Sequence, residues 1–341
     1  MNRVPTFCVL FLLMLVTLTS CKTNLSSGEP DSEYLSLTVI YVASYDETKD
    51  YAEYGAAVCE YDLQTKEISE VYKFPLNAGY ALGVYDKKTN SVFYSKEKDN
   101  DTYTRIRTGD QIYVYDLATG SDTMLTNDLL AINYIEPVDG AVFFIAARQG
   151  NDDSLALGKI DLSDGSIEYW DGADTDSVNT MSVDRTNKRI YVSVYDWEER
   201  DVAAAIGNDT NTAAIPPKHT IYSYDYNLSD KHEILRKDNM IIRSVYVRDN
   251  WLLYRADSAL TWWPDTTIST ISEIIDVSTM EVLLQSEEEF NIVGCFAPDK
   301  KGVYMRDYGE EYFDIFYYDF ETRKCTSIGD FGNVGTFQPM Y

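Results

Sequence analysis

The chain reads as an all-β protein, a six-bladed β-propeller closed by pairing of its N- and C-terminal strands in one blade. Three observations predict this. A turn phrase built on aspartate occurs six times, a strand–turn–strand phrase alternates with it five times, and strands at the two ends supply what the second phrase lacks. Recurrence at this period is the mark of a repeat architecture, in which each unit buries its apolar face against the next.

The first phrase is a β-rich run ending in an aromatic or aliphatic residue, then Asp, an apolar or aromatic residue, and turn residues. Its copies centre on Asp62, Asp116, Asp161, Asp225, Asp276 and Asp319, 43 to 64 residues apart. An Asp carboxylate accepts from backbone N–H groups two residues on, and the Thr, Ser or Gly that follows tolerates the turn, so each copy predicts a hairpin. The second phrase runs through Asp86–Asn90, Asp139–Gly140, Asp184–Asn187, Asp249–Asn250 and Asp299–Gly302, each followed by a short apolar strand such as Val142-Phe143-Phe144-Ile145. Two hairpins make four strands, the content of one propeller blade. No segment shows helical periodicity over a useful length.

The unequal counts are resolved at the ends. Ser36–Ser44 enters as a strand before the first Asp hairpin, and Val334-Gly335-Thr336-Phe337-Gln338 supplies the missing innermost strand. Closure by both termini leaves no open sheet edge, which would invite aggregation. The expected blades are 79–129, 131–173, 178–239, 242–288 and 292–331, with the sixth split between 34–74 and 334–341. On these motifs the chain resembles the six-bladed TolB-like propellers found in many exported bacterial lipoproteins. That resemblance spans nearly all of residues 34–341 and implies architecture, not activity.

The first 33 residues are of a different kind. Arg3 is followed by an uncharged apolar run from Phe7 to Leu18, too short to span a bilayer and suited to a signal peptide. Leu18-Thr19-Ser20-Cys21 resembles the lipobox of bacterial lipoproteins. The resemblance implies cleavage after residue 20 and a diacylglycerol thioether on Cys21. Residues 21–33, rich in Ser, Asn, Gly, Pro and charge, read as a flexible linker. The expected location is extracytoplasmic, anchored by lipid to the cell membrane.

Charge excludes one class of partner. The 341 residues carry 29 Lys and Arg against 56 Asp and Glu, a net charge of −27. Loss of Arg3 with the signal leaves 28 basic residues against 56 acidic, or −28. Such a field repels phosphate backbones and argues against nucleic-acid binding. Cys59, Cys295 and Cys325 form no metal-binding spacing, and His219 and His232 are the only histidines. No cofactor is expected. Asp99-Asn100-Asp101 and Asn151-Asp152-Asp153 offer oxygen ligands of the kind Ca2+ takes, but neither completes a calcium-loop pattern.

With strands named a to d outward from the axis, the a–b and c–d turns share one face and the longer b–c connections lie on the other. Function tends to sit on loops held by a rigid scaffold. The connection at 196–218 carries Trp197, Glu198 and Glu199, and the one at 256–267 carries Trp262, Trp263 and Asp265. Tryptophan faces beside carboxylates suit sugar rings or cationic groups; packing between blades would equally account for the Trp pair. The leading expectation is a binding or protein-interaction module displayed at the envelope, with a glycan or protein ligand. The competing one is a carbohydrate-active propeller enzyme, a lyase or glycoside hydrolase, although no pair of carboxylates is singled out. No G-x-S-x-G elbow supports a serine hydrolase.

Overall fold

The computed structural model describes residues 34–46, 51–98, 109–210, 212–260, 268–286, 294–306, 315–329, 331 and 333–339. The signal sequence, Cys21 and the linker lie outside these residues.

The chain enters as β1 (Tyr34–Asp46), β2 (Tyr51–Asp62) and β3 (Ile68–Pro75). Blade 1 follows with β4 (Gly83–Asp86), β5 (Ser91–Glu97), β6 (Asp110–Asp116) and β7 (Ser121–Met124). Blade 2 is β8 (Leu129–Val138), β9 (Ala141–Arg148), β10 (Asn151–Asp161) and β11 (Ile167–Tyr169). Blade 3 is β12 (Asp176–Asp184), β13 (Arg189–Asp196), β14 (His219–Asp225) and β15 (His232–Lys237). Blade 4 is β16 (Ile241–Arg248), β17 (Trp251–Asp257), β18 (Thr270–Asp276) and β19 (Glu281–Ser286), and blade 5 is β20 (Gly294–Phe296), β21 (Gly302–Arg306), β22 (Ile315–Asp319) and β23 (Lys324–Gly329). The last strand, β24 (Asn333–Pro339), pairs antiparallel with β1 from Leu35↔Pro339 to Ile40↔Asn333. Sheet order β24-β1-β2-β3 completes blade 6, the split blade expected from the sequence. All six sheets have four antiparallel strands.

The aspartate turns form as their chemistry dictates. Asp62 Oδ1 accepts from Gln64 N (2.7 Å) and Thr65 N (2.9 Å), and Asp116 Oδ1 from Ala118 N (2.7 Å) and Thr119 N (3.1 Å). Asp161, Asp225, Asp276 and Asp319 do the same for Ser163, Asn227, Ser278 and Thr322. Four residues after the Asp the chain turns left-handed in five of the six: Lys66 (φ 64°), Gly120 (72°), Gly165 (75°), Met280 (60°) and Arg323 (54°). Blade 3 departs from this pattern.

Packing closes the ring. The buried hydrophobics fall into six clusters, one for each seam between neighbouring blades. Blade 6 packs on blade 5 through Leu35, Leu37, Tyr61, Val334 and Phe337 against Cys295 and Ile315. Burying a side chain of the Val or Phe class contributes about 1.5–3 kcal/mol, so β24 is a principal stabiliser of that seam. Cys59 and Cys295 belong to the same cluster, and burial pushes their thiols up to about 11 and about 12. Neither is a thiolate at neutral pH, the form a nucleophile needs.

Two connections differ from expectation. The segment after β13 is not a plain loop: Trp197–Thr210 is a helix, α1. Asp196 caps it by accepting from Glu199 N (3.0 Å), Glu198 and Glu199 sit at the positive end of its dipole, and Ala203, Ala204 and Ala205 are strong helix formers. Its apolar residues follow no single stripe, so the period that reveals an amphipathic helix is missing. The b–c connection of blade 2 is not one of the longer ones expected on that face: Gln149-Gly150 is a two-residue turn, and Asn151 already belongs to β10.

Candidate functional site

The innermost strands β4, β8, β12, β16, β20 and β24 surround an axial channel of about 600 Å3, to which all six contribute lining residues. What shapes its wall is a set of β-bulges. Against their partner strands, β8 carries an extra residue at Asn133, β12 at Asn179, β16 at Arg243 and β24 at Gly335. A bulge places two residues opposite one and re-aims a side chain that strict alternation would turn elsewhere. All four inserted residues line the channel.

The bulge at Gly335 requires its glycine. A Cβ there would lie 2.7 Å from the Ala81 carbonyl oxygen, because the β3–β4 connection closes over the strand. The two carbonyls beside this bulge are taken by Arg306, whose Nη1 donates to Val334 O and Gly335 O at 2.7 Å each. Arg306 ends β21 and reaches from blade 5 to blade 6.

Arg243 is held as firmly. Its Nε donates to Asp257 Oδ2 (3.2 Å), and its Nη2 to Ala259 O (3.2 Å) and Leu260 O (3.0 Å). Asp257 is only 1% exposed and also takes a two-pronged bond from Arg255 at 3.0 Å through each nitrogen. One buried carboxylate thus faces two guanidinium groups, and the local charge is positive. Burial lowers the pKa of Arg243 and Asp257 opposes that shift; arginine stays charged regardless. Asn179 Nδ2 donates to Ile242 O (2.6 Å), coupling the bulges of blades 3 and 4.

Two side-chain bonds tie the blades together around the channel. Gln338 Nε2 passes β4 and donates to Ile135 O of blade 2 at 2.8 Å, and Tyr134 bonds Thr180 across the seam of blades 2 and 3 at 3.1 Å. Glu136 is the lining carboxylate among the described residues. Desolvation raises its pKa, and its ion pair with Arg185 (2.9 Å) pulls the other way. The described lining therefore has Arg243, Arg248 and Arg306 against one carboxylate, in a chain whose net charge is −27.

His219 stands behind Arg243. Its ring stacks on Tyr195 (4.9 Å between centroids) and its Nδ1 lies 3.2 Å from Ser193 Oγ, while its Nε2 is buried with no partner among the described residues. Desolvation first, then Arg243 and Arg200, push its pKa down to about 3. It is a neutral imidazole throughout the physiological range.

Of the residues expected to bind ligand, the described Trp197, Glu198 and Glu199 are not among those lining the channel. Trp197 heads α1, half-buried, with Nε1 donating to Asp174 O at 3.2 Å, and Glu198 and Glu199 are exposed beside it. Trp262, Trp263 and Asp265 lie outside the described residues, as does the Asp99–Asp101 cluster. Asn151 opens β10, and Asp152 and Asp153 follow within that strand. No group of three or more His, Cys, Asp or Glu among the described residues is arranged to hold a metal ion. The bulge residues share a phrase in the sequence, in which the inserted residue follows an apolar one: Ile132-Asn133-Tyr134-Ile135, Val178-Asn179-Thr180-Met181, Ile242-Arg243-Ser244-Val245 and Val334-Gly335-Thr336-Phe337.

Solved structures carry the same architecture. TolB from Acinetobacter baumannii superposes with a TM-score of 0.55 at 12% identity, over 90% of this chain and 66% of that one. The fold is that of a TolB-like six-bladed β-propeller. The chain spans just under two thirds of the TolB structure. Kuenenia stuttgartiensis hydrazine synthase matches with a TM-score of 0.59 at 11% identity, over 92% of this chain and 47% of that one. An oligogalacturonate lyase in complex with manganese matches with a TM-score of 0.50 at 13% identity, over 79% and 74%. At such identities the likeness extends to the fold alone. No known protein-family profile and no curated protein matches the chain.

Proposed function

We propose that this chain is a lipid-anchored β-propeller of the bacterial cell envelope. It acts as a binding module that takes a carboxylate-bearing glycan or polypeptide at the mouth of its axial channel. One observation carries this reading: bulges in three inner strands set Asn133, Asn179 and Arg243 into a collar beside Arg306, within a channel of about 600 Å3. Guanidinium and amide donors match carboxylate oxygens, and a rigid scaffold lowers the ordering cost of binding. Trp197, Glu198 and Glu199 on α1, with Trp262, Trp263 and Asp265 in the β17–β18 connection, would form an outer rim that selects among ligands.

The enzymatic reading is weaker. Glycoside cleavage by paired carboxylates needs two within about 10 Å, and Glu136 is the one the described lining offers.

The test is a binding screen of uronic-acid oligosaccharides and acidic peptides against the mature chain, beside their amidated or reduced counterparts. Carboxylate ligands should lose at least about tenfold in affinity with Arg243→Met, since removing one partner of a buried charged pair costs roughly 2–5 kcal/mol. Equal binding of the neutral counterparts, or unchanged affinity in a folded Arg243→Met protein, would sink this reading. Anchoring is tested separately. Cys21→Ala should release a soluble form, and mass spectrometry of the wild-type N-terminus should show a diacylglycerol adduct on Cys21.

A further inference from the structure

A second site lies away from the channel, where blades 2 and 3 meet. The ammonium of Lys231 is held there by rings rather than by carboxylates. Its Nζ is 4.4 Å from the ring centroid of Tyr222, 5.7 Å from Tyr224 and 5.8 Å from Trp170. It makes no salt bridge with any described residue, although Glu168, Asp171 and Asp230 line the adjoining groove.

The arrangement is built in from both sides. Trp170 leaves β11 and folds back over Gly172, where a Cβ would lie 2.5 Å from the indole ring. Trp170 meets Tyr224 edge-on, with centroids 6.1 Å apart and planes at 67°, and Tyr224 is fully buried. On the other side, the c–d turn of blade 3 is the one that breaks the left-handed pattern of its five counterparts. It puts two non-glycine residues at positive φ, Leu228 (54°) and Asp230 (48°), and sinks Leu228 into the core between blades 2 and 3. Both departures bring Lys231 over the rings. Lys231 itself is exposed, so its departure from the rings costs little beyond the contact.

We propose that Trp170 and Tyr222, backed by the buried Tyr224, form an aromatic cage for a methylated ammonium group, and that Lys231 is the resident cation such a ligand displaces. A primary ammonium is a compact, strongly hydrated charge that gives up water to sit on a ring. A trimethylammonium group has no N–H donors, is weakly hydrated, and presents methyl surface to the partly exposed rings of Trp170 and Tyr222, which is the ligand class aromatic cages suit. The acidic groove adds attraction for any cation and disfavours a ligand that also carries a carboxylate. Choline should therefore bind better than glycine betaine.

The experiment is calorimetric titration of the full chain with choline chloride, glycine betaine and the uncharged isostere 3,3-dimethylbutan-1-ol, at fixed ionic strength. Choline is expected to bind the wild type in the millimolar range and the isostere at least fivefold more weakly. Lys231→Gln should tighten choline by roughly two- to fivefold, the worth of one exposed cation–π contact. Trp170→Leu and, as a milder change, Tyr222→Leu should each weaken it at least fivefold in a protein that keeps its melting temperature. Equal binding of choline and isostere, or failure of Lys231→Gln to gain affinity while folded, would overturn the proposal.

Discussion

The turn face and the axial collar are made by the same repeated hairpins, yet they obey opposite rules. On the turn face six aspartates repeat one local solution, each carboxylate bonded to backbone N–H groups two or three residues on. In the collar the repeat is kept only as a position. The inserted residue is Asn in two blades, Arg in a third and Gly in a fourth. A residue type constant around the ring serves the scaffold. A backbone irregularity that recurs in four of the six inner strands while its side chain varies shapes the channel wall differently in each blade.

The largest effect expected from this contrast concerns the strand that carries the Gly335 bulge. Deleting residues 333–341 strips the inner edge from blade 6 and removes Val334 and Phe337 from its seam. Loss of Phe337 alone, as Phe337→Ala, should cost about 3–5 kcal/mol. The full deletion should abolish the cooperative melt followed by circular dichroism. A truncated protein that melts like the intact one would show that the ring does not depend on this closure.

A smaller perturbation separates shape from stability. Gly335→Val drives a side chain into the Ala81 carbonyl and displaces the carbonyls that hold Arg306. The expected loss is about 1–3 kcal/mol by denaturant titration, the usual cost of overpacking. Gly140→Ala provides the turn-face control. Its Cβ would meet nothing within 4 Å, but φ is +82°, so any loss there comes from backbone strain alone. Only Gly335→Val should also impair carboxylate binding.

The two regions should also respond oppositely to acid. Hydrogen bonds from the turn lower the pKa values of Asp62, Asp116, Asp161, Asp276 and Asp319 in the folded state. Their stabilising contribution is complete above the unfolded Asp value and is lost as pH falls through the depressed folded values. Glu136 is raised by desolvation, so its contribution runs the other way: acidification relieves a cost that the folded state carries at neutral pH. Stability measured by urea unfolding should therefore fall less steeply below pH 4 in Asp116→Asn, whereas Glu136→Gln should remove the gain in stability that the wild type makes as pH falls from neutrality toward the ordinary glutamate value. Identical acid slopes in the two variants would erase the distinction.

The smallest effect belongs to α1. Glu198→Ala or Glu199→Ala removes one charge from the first turn and should cost about 0.3–1 kcal/mol, less at high salt. A salt-independent loss would show that the glutamates do more than offset the helix dipole.

How much of this was legible follows from how local each signal is. An Asp turn is written in five consecutive residues, so Asp62 through Asp319 could be counted without a structure, and with them the blades and the split closure. A bulge is written in register, which needs the partner strand. Arg243 between Ile242 and Ser244 looks like one irregularity in an apolar run until Ile242↔Ala256 and Ser244↔Arg255 are seen side by side. Helix α1 stayed hidden because Val202 and Ile206 face outward, 61% and 58% exposed, and trace no core-facing stripe. The tryptophans drew attention by chemistry alone, and Trp197 is spent in part on a bond to Asp174 O.

The split blade has a consequence in time. β1 pairs with β24, and nearly 300 residues separate Ile40 from its partner Asn333. A polypeptide appears from the ribosome in order, so β1 must wait with one edge unsatisfied while five blades are made. Contacts between such distant residues are slow to form because a long loop must first be closed. Until the last strand emerges the ring cannot lock, and the chain passes its whole synthesis as an open, unlatched arc.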